Sequence, residues 1–396
     1  MSRFLFVVLP LAGHVNPPAA VARVLAEQGH EVAWCGSRAR LRHWLGPDAE
    51  IYPTGMRLFR GQPDTGMTAL KSLWEGFIVP FTSFTMPAVE QAVLDYRPDV
   101  VVTDQHALAG PLVARRYGLP WVTLCTASLE LVAPFRGLPK VDGWIREQLA
   151  TVTAAAGLAD GPGDDLRFSP YLVIVFSTAE LLGGLPFPDH FALVGPALSA
   201  RHGSVPFPWD RLDPRRRHVL VSVGTMADDV AMDFYDRAIA ALDPLGDRVQ
   251  PVVVAPPEAL SLVPERAIVQ DRVPMLELLP HLDAVVCHGG MNTVCETLSH
   301  AVPLVIAPLT RDQPLNASNV VSAGAGIRLN FHRATPEQLR AAVLDILGDP
   351  GYRAAAGRIR EAFTAAGGAC AAAARLVSLA HDSGARDGKA SVVMPN

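Results

Sequence analysis

The sequence predicts an α/β protein built from two doubly wound domains, each with a parallel sheet covered by helices. Short apolar runs, such as FLFVVL at residues 4–9 and HVLVSV at residues 218–223, alternate with helical segments. Continuous apolar runs of this kind are typical of parallel strands buried on both faces. A chain of 396 residues is also longer than one hydrophobic core usually organises, so two such series are expected.

Composition narrows the class of protein. Hydrophobic residues make up 49% of the chain and charged residues 18%, which is typical of a well-buried globular protein. A formal charge of −5 gives no attraction to nucleic acid or to an anionic membrane. The 5 cysteines are scattered through the chain, mostly in apolar runs, as expected for small core residues in a reducing compartment.

Targeting segments are not predicted either. No apolar run reaches the roughly 18 residues that a membrane span requires. The apolar N-terminus lacks the small-residue cleavage site of a signal peptide. We therefore expect a cytoplasmic protein with no nucleic-acid partner and no membrane span, and the sequence gives no indication of its oligomeric state.

The first half of the chain begins with a strand–helix–strand unit. Residues 4–9 form the first strand, and the turn PLAGHVNP follows it. Pro17 and Pro18 suit the opening of a helix, because proline is tolerated in a first helical turn. Gly29 ends that helix, and residues 31–35 form the next strand. Right-handed repetition of such units gives a doubly wound sheet.

The same alternation continues to about residue 200. Further strands are predicted at residues 99–103, 121–124, 172–177 and 192–195, with helices at residues 110–117 and 144–156. We assign residues 1–200 to a first domain. Residues 201–217 contain several prolines and three consecutive arginines, a composition typical of a linker.

A second series of strands and helices begins at residue 218. Strands are predicted at residues 218–223, 250–255, 283–287 and 303–308, with helices at residues 233–242, 334–347 and 352–365. The second domain is therefore residues 218–368. A last helix at residues 369–381 and a polar tail at residues 382–396, expected to be frayed, complete the chain.

An aromatic segment lies in the first domain between residues 56 and 89. It has few charges, and two interpretations remain open. In the first, the rings are core-facing residues of helices; in the second, part of this surface lines an apolar acceptor pocket. The candidate acceptor-binding residues are Trp74, Phe77, Phe81 and Phe84.

The second domain contains a candidate anion site. The apolar run DAVVC stops at His288, Gly289 and Gly290, and a helix is expected to begin near Asn292. A strand, a Gly-Gly turn and a helix N-terminus together favour phosphate, because backbone N–H groups point at the ligand with the positive end of the helix dipole. The two cysteines that flank this turn lack a second Cys or His pair, so no metal site is predicted.

Polar side chains around this turn suit a ligand with phosphate and hydroxyl groups. His288 can donate to a phosphate oxygen, the hydroxyl of Thr293 can add a second bond, and Glu296 can accept from ribose hydroxyls. Asp312 and Gln313 follow the next strand and therefore reach the same sheet edge. A carboxylate beside an amide suits a polyhydroxylated ligand.

These residues carry a resemblance to a known family. The run HGGMNTVCE followed by DQ resembles the donor signature of the family 1 glycosyltransferases, which use nucleotide sugars to modify natural products. The resemblance implies that His288 and Thr293 bind the diphosphate, with Gly290 and Asn292 in the same motif. It also implies that Glu296 binds the ribose and that Asp312 and Gln313 hold the sugar hydroxyls.

Three further donor contacts are predicted by analogy. The family often has Trp-Pro-Gln or Val-Pro-Gln where the nucleobase stacks, whereas this chain has Val273, Pro274 and Met275. Val273 is therefore the expected base contact. Ser222 and Thr225 end another strand, where similar enzymes contact phosphate or sugar. The alternative interpretation is that they are ordinary turn hydroxyls.

The first domain offers a catalytic pair. His14 follows the first strand and Asp104 follows the strand ending at Thr103, so both side chains are expected at one rim of the sheet. A carboxylate that holds one ring nitrogen leaves the other free to accept a proton. His14 is thus the predicted general base and Asp104 its partner, with His106 as a competitor for the partner role. GHVNP at the first turn resembles the same family.

The resemblance extends over most of the chain and implies the GT-B fold, in which two Rossmann-like domains are joined and a C-terminal helix crosses back to the first domain. It implies an acceptor site in the first domain, a donor site in the second and inversion at the anomeric carbon. No Asp-x-Asp metal motif occurs in the sequence, so we expect no cofactor and no metal.

Several functions remain as alternatives. A nucleotide-sugar epimerase needs no acceptor pocket, an auxiliary protein has no use for His14, and a dinucleotide oxidoreductase would need a Gly-x-Gly-x-x-Gly turn that is absent here. Among transferases, Glu296 favours UDP-sugars because it could bond both ribose hydroxyls, and Asp312 with Gln313 favours UDP-glucose. A TDP-deoxysugar donor for antibiotic biosynthesis is the alternative, and the partner is an apolar, hydroxylated small molecule.

Overall fold

The computed structural model describes residues 1–55, 66–128, 130–131, 138–159, 165–199, 202–203, 205–224 and 229–387. The chain divides into two compact units. Unit 1 consists of Met1–Thr178, Pro186–His202 and Ala366–Asn396. Unit 2 consists of Ala179–Leu185 and Gly203–Ala365.

Unit 1 is built on a parallel sheet. Among its described residues, seven strands pair in the order β3-β2-β1-β4-β5-β6-β7. They are β1 (Arg3–Val7), β2 (Glu31–Gly36), β3 (Ile51–Pro53), β4 (Val100–Asp104), β5 (Trp121–Cys125), β6 (Leu172–Val175) and β7 (Phe191–Leu193). The order reverses between β1 and β4, which is where a doubly wound sheet opens a crevice for ligands.

Helices cover both faces of this sheet. They are α1 (Ala12–Glu27), α2 (Arg38–Leu45), α3 (Gly66–Leu73), α4 (Val79–Tyr96), α5 (Ala109–Arg116) and α6 (Pro139–Ala155), and a π-helical turn, Trp74–Ile78, joins α3 to α4. Alternate residues of β1 enter opposite cores: Leu5 packs beneath α4 and α5, and Phe4 packs beneath α1. Burial on both faces explains why the strands read as continuous apolar runs.

Helix α1 begins earlier than the sequence suggested. Its first residue is Ala12, so Pro17 and Pro18 lie inside the helix and not at its opening. Both prolines are buried, and their packing against the core offsets the helical hydrogen bonds that proline cannot donate. As a result His14 lies in the first helical turn directly after β1.

Unit 2 repeats the plan with a second parallel sheet. Its described strands pair in the order β10-β9-β8-β11-β12-β13. They are β8 (Arg217–Ser222), β9 (Val249–Val254), β10 (Ile268–Gln270), β11 (Ala284–Cys287), β12 (Leu304–Ile306) and β13 (Gly326–Arg328). Here the order reverses between β8 and β11.

The helices of unit 2 include one contributed by the first half of the chain. They are α7 (Ala179–Leu182), α8 (Asp229–Leu242), α9 (Met275–Leu278), α10 (Met291–Leu298), α11 (Gln313–Ser322), α12 (Pro336–Gly348) and α13 (Pro350–Ala366). Thr335 caps α12 in a capping box with Gln338. From residue 205 onward, the stretch proposed as a linker is fixed on unit 2, because Phe207 lies in the core of that unit and the Asp213 N–H donates to Gln250 Oε1 at 2.9 Å.

The last helix, α14 (Gly368–Asp387), returns to unit 1. Ala372, Ala373 and Leu376 are buried beside α1 in the core on that face of the sheet. This confirms the predicted helix that crosses back to the first domain. The helix continues to Asp387, beyond the predicted end at residue 381, and residues 388–396 of the predicted tail lie outside the described residues.

Two helical stretches, Gly66–Tyr96 and Pro350–Asp382, have the length and apolar composition of a membrane span. The first supplies Trp74 and Phe77 to the core of unit 1. The second is broken at Gly367, which has a φ of +86°. Core helices of folded proteins meet the same description, so these stretches are weak indications of membrane insertion.

Candidate active site

The reversal point of the unit 1 sheet brings His14 and Asp104 together. His14 lies in the first turn of α1, directly after β1, and Asp104 ends the neighbouring strand β4. The ring Nδ1 of His14 lies 2.8 Å from Asp104 Oδ2. The Asp104 side chain is fully buried, whereas that of His14 is 17% exposed. The carboxylate therefore fixes Nδ1 and leaves Nε2 as the nitrogen that can accept a proton.

A threonine completes this pair. The Thr126 hydroxyl donates to Asp104 Oδ2 at 2.7 Å and lies 2.8 Å from His14 Nδ1. Thr126 directly follows β5, the strand next to β4. Sequence reasoning missed it, although its position after a buried strand was the same signal that identified Asp104.

The ionisation of Asp104 is set by its surroundings. Burial would raise its pKa, but the charge and hydrogen bond of His14, together with His106, outweigh burial and hold the pKa below its ordinary value. The backbone N–H of His106 donates to Asp104 Oδ1 at 3.0 Å. Asp104 is therefore a carboxylate at neutral pH, as an orienting partner must be.

His106 does not replace Asp104 as the partner of His14. Its Nε2 lies 3.3 Å from Glu130 Oε2, so its side chain is committed to another carboxylate. His14, Asp104 and His106 place one ligand atom each within 4.8 Å of one another, a spacing that can hold a metal ion. In this structure, however, His14 Nδ1 and His106 Nε2 are already engaged by carboxylates.

The second site lies at the reversal point of the unit 2 sheet. Ser222 ends β8, and His288 directly follows the neighbouring strand β11. Glycines surround the imidazole: a Cβ on Gly224 would lie 2.8 Å from His288 Cε1, and a Cβ on Gly290 would lie 2.7 Å from His288 Nε2. The glycines therefore make room for the ring.

His288 is a neutral donor in this setting. Removal from water lowers the pKa of His288 to about 4, and a hydrogen bond with the Ser222 backbone opposes this only in part. The folded ring stays uncharged at pH 7 and offers one N–H.

Substituting Gly290 should weaken nucleotide binding without unfolding the protein. Gly290 has an ordinary φ of −61°, so Gly290→Ala strains no backbone but pushes a methyl group into the His288 ring. We expect UDP and TDP to bind about 10- to 100-fold more weakly, the value of a hydrogen bond to a charged group. Titration calorimetry measures this.

Gly357→Ala is the matched control for that variant. Gly357 lies inside α13, and a Cβ there would meet no atom within 4 Å. Its nucleotide affinity should equal that of the wild type. Unchanged affinity in Gly290→Ala would show that His288 does not touch the nucleotide.

The helix N-terminus predicted as an anion site is present. Gly290 is the N-cap of α10, and no side chain caps it. Asn292 and Thr293 lie half-buried in the first turn, and Glu296 is buried in the next. The backbone N–H groups of this turn and the dipole of the helix favour a phosphate at this point.

Asp312 and Gln313 lie at the start of α11 and are tied to their surroundings. The Gln313 Oε1 accepts from the backbone N–H groups of Leu309 and Thr310, at 2.9 and 3.0 Å. Gln313 therefore fixes the loop after β12 with its oxygen, which leaves its NH₂ group as the part that could donate to a sugar.

Asn316 links the two halves of this site and was missed in the sequence. Its Nδ2 donates to the Gly289 carbonyl at 2.9 Å and to Asp312 Oδ2 at 3.1 Å. Asn316 thus joins the Gly-Gly turn to the carboxylate proposed for sugar binding. Its position four residues after Asp312, on the same face of α11, was the available signal.

Three sequence predictions concern residues at the periphery. Val273 is partly buried against the core of unit 2. Thr225 lies outside the described residues. Among the aromatic candidates, Trp74, Phe77 and Phe81 belong to the core of unit 1, whereas Phe84 is 43% exposed. Burial gives the first three a packing role, and Phe84 alone of the four offers surface to an acceptor.

Comparison with known proteins gives a consistent result. A family model described as "Erythromycin biosynthesis protein CIII-like, C-terminal domain" matches residues 240–379. The chain is 30% identical over 412 residues to the 4'-demethylrebeccamycin synthase of Lentzea aerocolonigenes, covering 92% of this chain and 96% of that protein. It is 29% identical over 380 residues to the NDP-glycosyltransferase YjiC of Bacillus subtilis (strain 168), covering 93% and 95%.

A solved structure agrees over the same length. The spinosyn rhamnosyltransferase SpnG complexed with thymidine diphosphate has a TM-score of 0.73 and 25% identity, covering 92% of this chain and 96% of that one. These comparisons confirm the resemblance carried by the HGGMNTVCE and DQ motifs. The chain belongs to the family 1 glycosyltransferases of bacterial natural-product biosynthesis, which have the GT-B fold and use nucleoside-diphosphate sugars.

Proposed function

We propose that this chain is an inverting, metal-independent glycosyltransferase that moves glucose from UDP-glucose to a hydroxyl of an apolar natural product. The observation that supports it most is the buried Asp104 carboxylate held 2.8 Å from the ring of a partly exposed His14. A general base must be oriented and reachable, and this arrangement supplies both properties. An auxiliary binding protein has no use for it.

The reaction divides between the two sets of residues. His14 Nε2 takes the proton of the acceptor hydroxyl as the oxygen attacks the anomeric carbon of the sugar. The bond from that carbon to the diphosphate breaks on the opposite face, so the configuration inverts. Asp104 stabilises the imidazolium that forms. The proton stays on His14 until it is transferred to solvent.

Unit 2 stabilises the departing diphosphate. Negative charge grows on the leaving oxygen, and the uncapped N-terminus of α10 faces such charge with N–H groups. We assign His288 and Thr293 to the diphosphate, Glu296 to the ribose, and Asp312 with Gln313 to the sugar. Ser222 lies beside His288 and is assigned to the phosphate as well.

Two classes of nucleotide-sugar donor are candidates, and they differ in the nucleotide. Glu296 favours UDP, since a carboxylate can accept from both hydroxyls of a ribose but from only one of a deoxyribose. The similarity to SpnG, solved with thymidine diphosphate, favours TDP-deoxysugars. The competing assignments share the diphosphate and differ in sugar and base.

Thermal unfolding separates these donors. A ligand that binds the native state raises the free energy of unfolding by mass action, by about 2.7 kcal/mol at 100 times its dissociation constant, and the transition temperature rises with it. We expect a shift with UDP and none with NAD. A shift with TDP alone would redirect the donor to deoxysugars, and a shift with NAD alone would overturn the transferase assignment.

Metal independence is part of the same proposal. His14, Asp104 and His106 are close enough to hold an ion, so the question needs a direct test. We expect turnover to be unchanged after EDTA treatment and after adding Mg²⁺ or Zn²⁺ back. Loss of turnover with EDTA, restored by one ion, would assign that ion a role in the reaction.

The acceptor and the compartment complete the proposal. We place the acceptor among apolar, hydroxylated small molecules, in line with the natural-product relatives. We place the reaction in the cytoplasm, where the five free cysteines would stay reduced.

A further inference from the structure

A second row of buried charges lies behind the catalytic pair. His106 Nε2 is 3.3 Å from Glu130 Oε2, and Glu130 Oε1 is 3.6 Å from Arg167 Nη1. Arg167 also donates to both oxygens of Asp165, at 2.8 and 2.6 Å. His106, Glu130 and Arg167 are all buried, so water screens these charges weakly.

Charge balance indicates the protonation of His106. Asp104 and Glu130 are both buried carboxylates, while Arg167 supplies one positive charge and shares it with the half-exposed Asp165. An uncompensated buried charge is costly, and a protonated His106 lies between the two carboxylates. Burial alone would lower the pKa of His106, but the charge and hydrogen bond of Glu130, with the charge of Asp104, outweigh it and raise the pKa.

The same interactions lower the pKa of Glu130. Burial would raise the pKa of Glu130, but His106 and Arg167 outweigh burial and lower it. Cys125, on the neighbouring strand β5, adds no charge, because burial together with the two carboxylates raises the pKa of its thiol well above the ordinary value. The catalytic histidine, His14, also lies near His106, with ring centroids 6.1 Å apart.

We propose that His106, held as an imidazolium by Glu130, is a positioning residue that sets the basicity of His14 through its fixed positive charge behind Asp104. This inference rests on the proposed role of His14 as the general base. Asp104 favours the protonated form of His14, and the charge on His106 opposes that effect. The balance keeps the base unprotonated, and thus active, to lower pH than Asp104 alone would allow.

The sign of the expected effect follows from this balance. Removing the charge of His106 leaves Asp104 unopposed, so the imidazolium of His14 becomes more stable. The enzyme then needs a higher pH to hold its base free of a proton. For unit charges about 6 Å apart, with an effective dielectric constant between 80 and 20, the acid limb of the pH profile of kcat/KM should move to higher pH by roughly 0.5 to 2 pH units.

The experiment combines histidine NMR with a pH profile. In ¹³C-histidine-labelled wild-type protein, we expect His106 to titrate above the ordinary midpoint of about 6.5, and Glu130→Gln to lower that midpoint. In His106→Gln, the acid limb of kcat/KM and the titration of His14 should both move to higher pH. Asp165→Asn is the control, because Asp165 contacts Arg167 and not His106, and it should leave both unchanged.

Each failure has a distinct meaning. If His106 titrates below 6.5 in the wild type, or if His14 titrates at the same pH in His106→Gln, the inference is overturned. If His106→Gln does not fold, His106→Gln with Glu130→Gln removes both charges together and should still raise the His14 midpoint, though by less. The NMR titrations need no turnover, so an inactive wild type would refute the proposed function while the titrations still decide this inference.

Discussion

Replacing His14 with alanine is expected to lower kcat about 10²- to 10⁴-fold, the usual contribution of a general base. The variant lacks the imidazole that takes the acceptor proton, while the donor residues of unit 2 are untouched. Nucleotide affinity should therefore stay at the wild-type value. Steady-state turnover and calorimetric titration with UDP or TDP measure the two quantities separately.

His43→Ala is the matched control for this variant. His43 is an exposed histidine of α2, so the same substitution there removes an imidazole far from the catalytic pair in the sequence. Its turnover should equal that of the wild type. An unchanged kcat in His14→Ala would show that the acceptor proton leaves by another route.

Asp104→Asn should cause the second largest loss of activity, a decrease in kcat of about 100-fold or more. The amide keeps the shape of the carboxylate but removes its charge, and its NH₂ group can donate to His14 Nδ1. Donation to Nδ1 selects the tautomer that carries the proton on Nε2, which cannot act as a base. Turnover across a range of pH measures this loss.

Asp99→Asn provides the control on the same stretch of chain. Asp99 precedes β4, at the opposite end of the strand from Asp104, and accepts from the Arg3 N–H at 2.7 Å. That variant can lose some stability but should retain turnover. Full activity in Asp104→Asn would mean that the carboxylate is not needed to orient the base.

The regular parts of the fold could be predicted because their signals are local. Strands such as β1 and β4 are continuous apolar runs, and they were identified within a few residues. Two short edge strands, β3 and β13, gave no such signal: they have three residues each and form through pairing with a neighbouring strand. The start of α1 was misplaced because its buried prolines depend on tertiary packing.

The site residues also divide into those that a sequence pattern predicted and those that depend on tertiary packing. His14, Asp104 and His288 follow buried strands, and sheet geometry alone brings such residues to one edge. Thr126 also follows a buried strand, and Asn316 lies four residues after Asp312, but the hydrogen bonds that give both residues a role depend on how separate elements pack together. An aromatic residue in a helix gives the same sequence pattern whether it faces the core or a ligand. Only burial in the structure distinguished Trp74, Phe77 and Phe81 from Phe84.

The most direct test of the account is acceptor-dependent release of nucleoside diphosphate, measured with UDP-glucose and an apolar hydroxylated acceptor in wild type and His14→Ala. We expect release by the wild type to require the acceptor, to yield a product of inverted anomeric configuration by NMR, and to fall by at least 100-fold in the variant. Equal release by both proteins, or a product of retained configuration, would contradict a mechanism based on His14 as the general base.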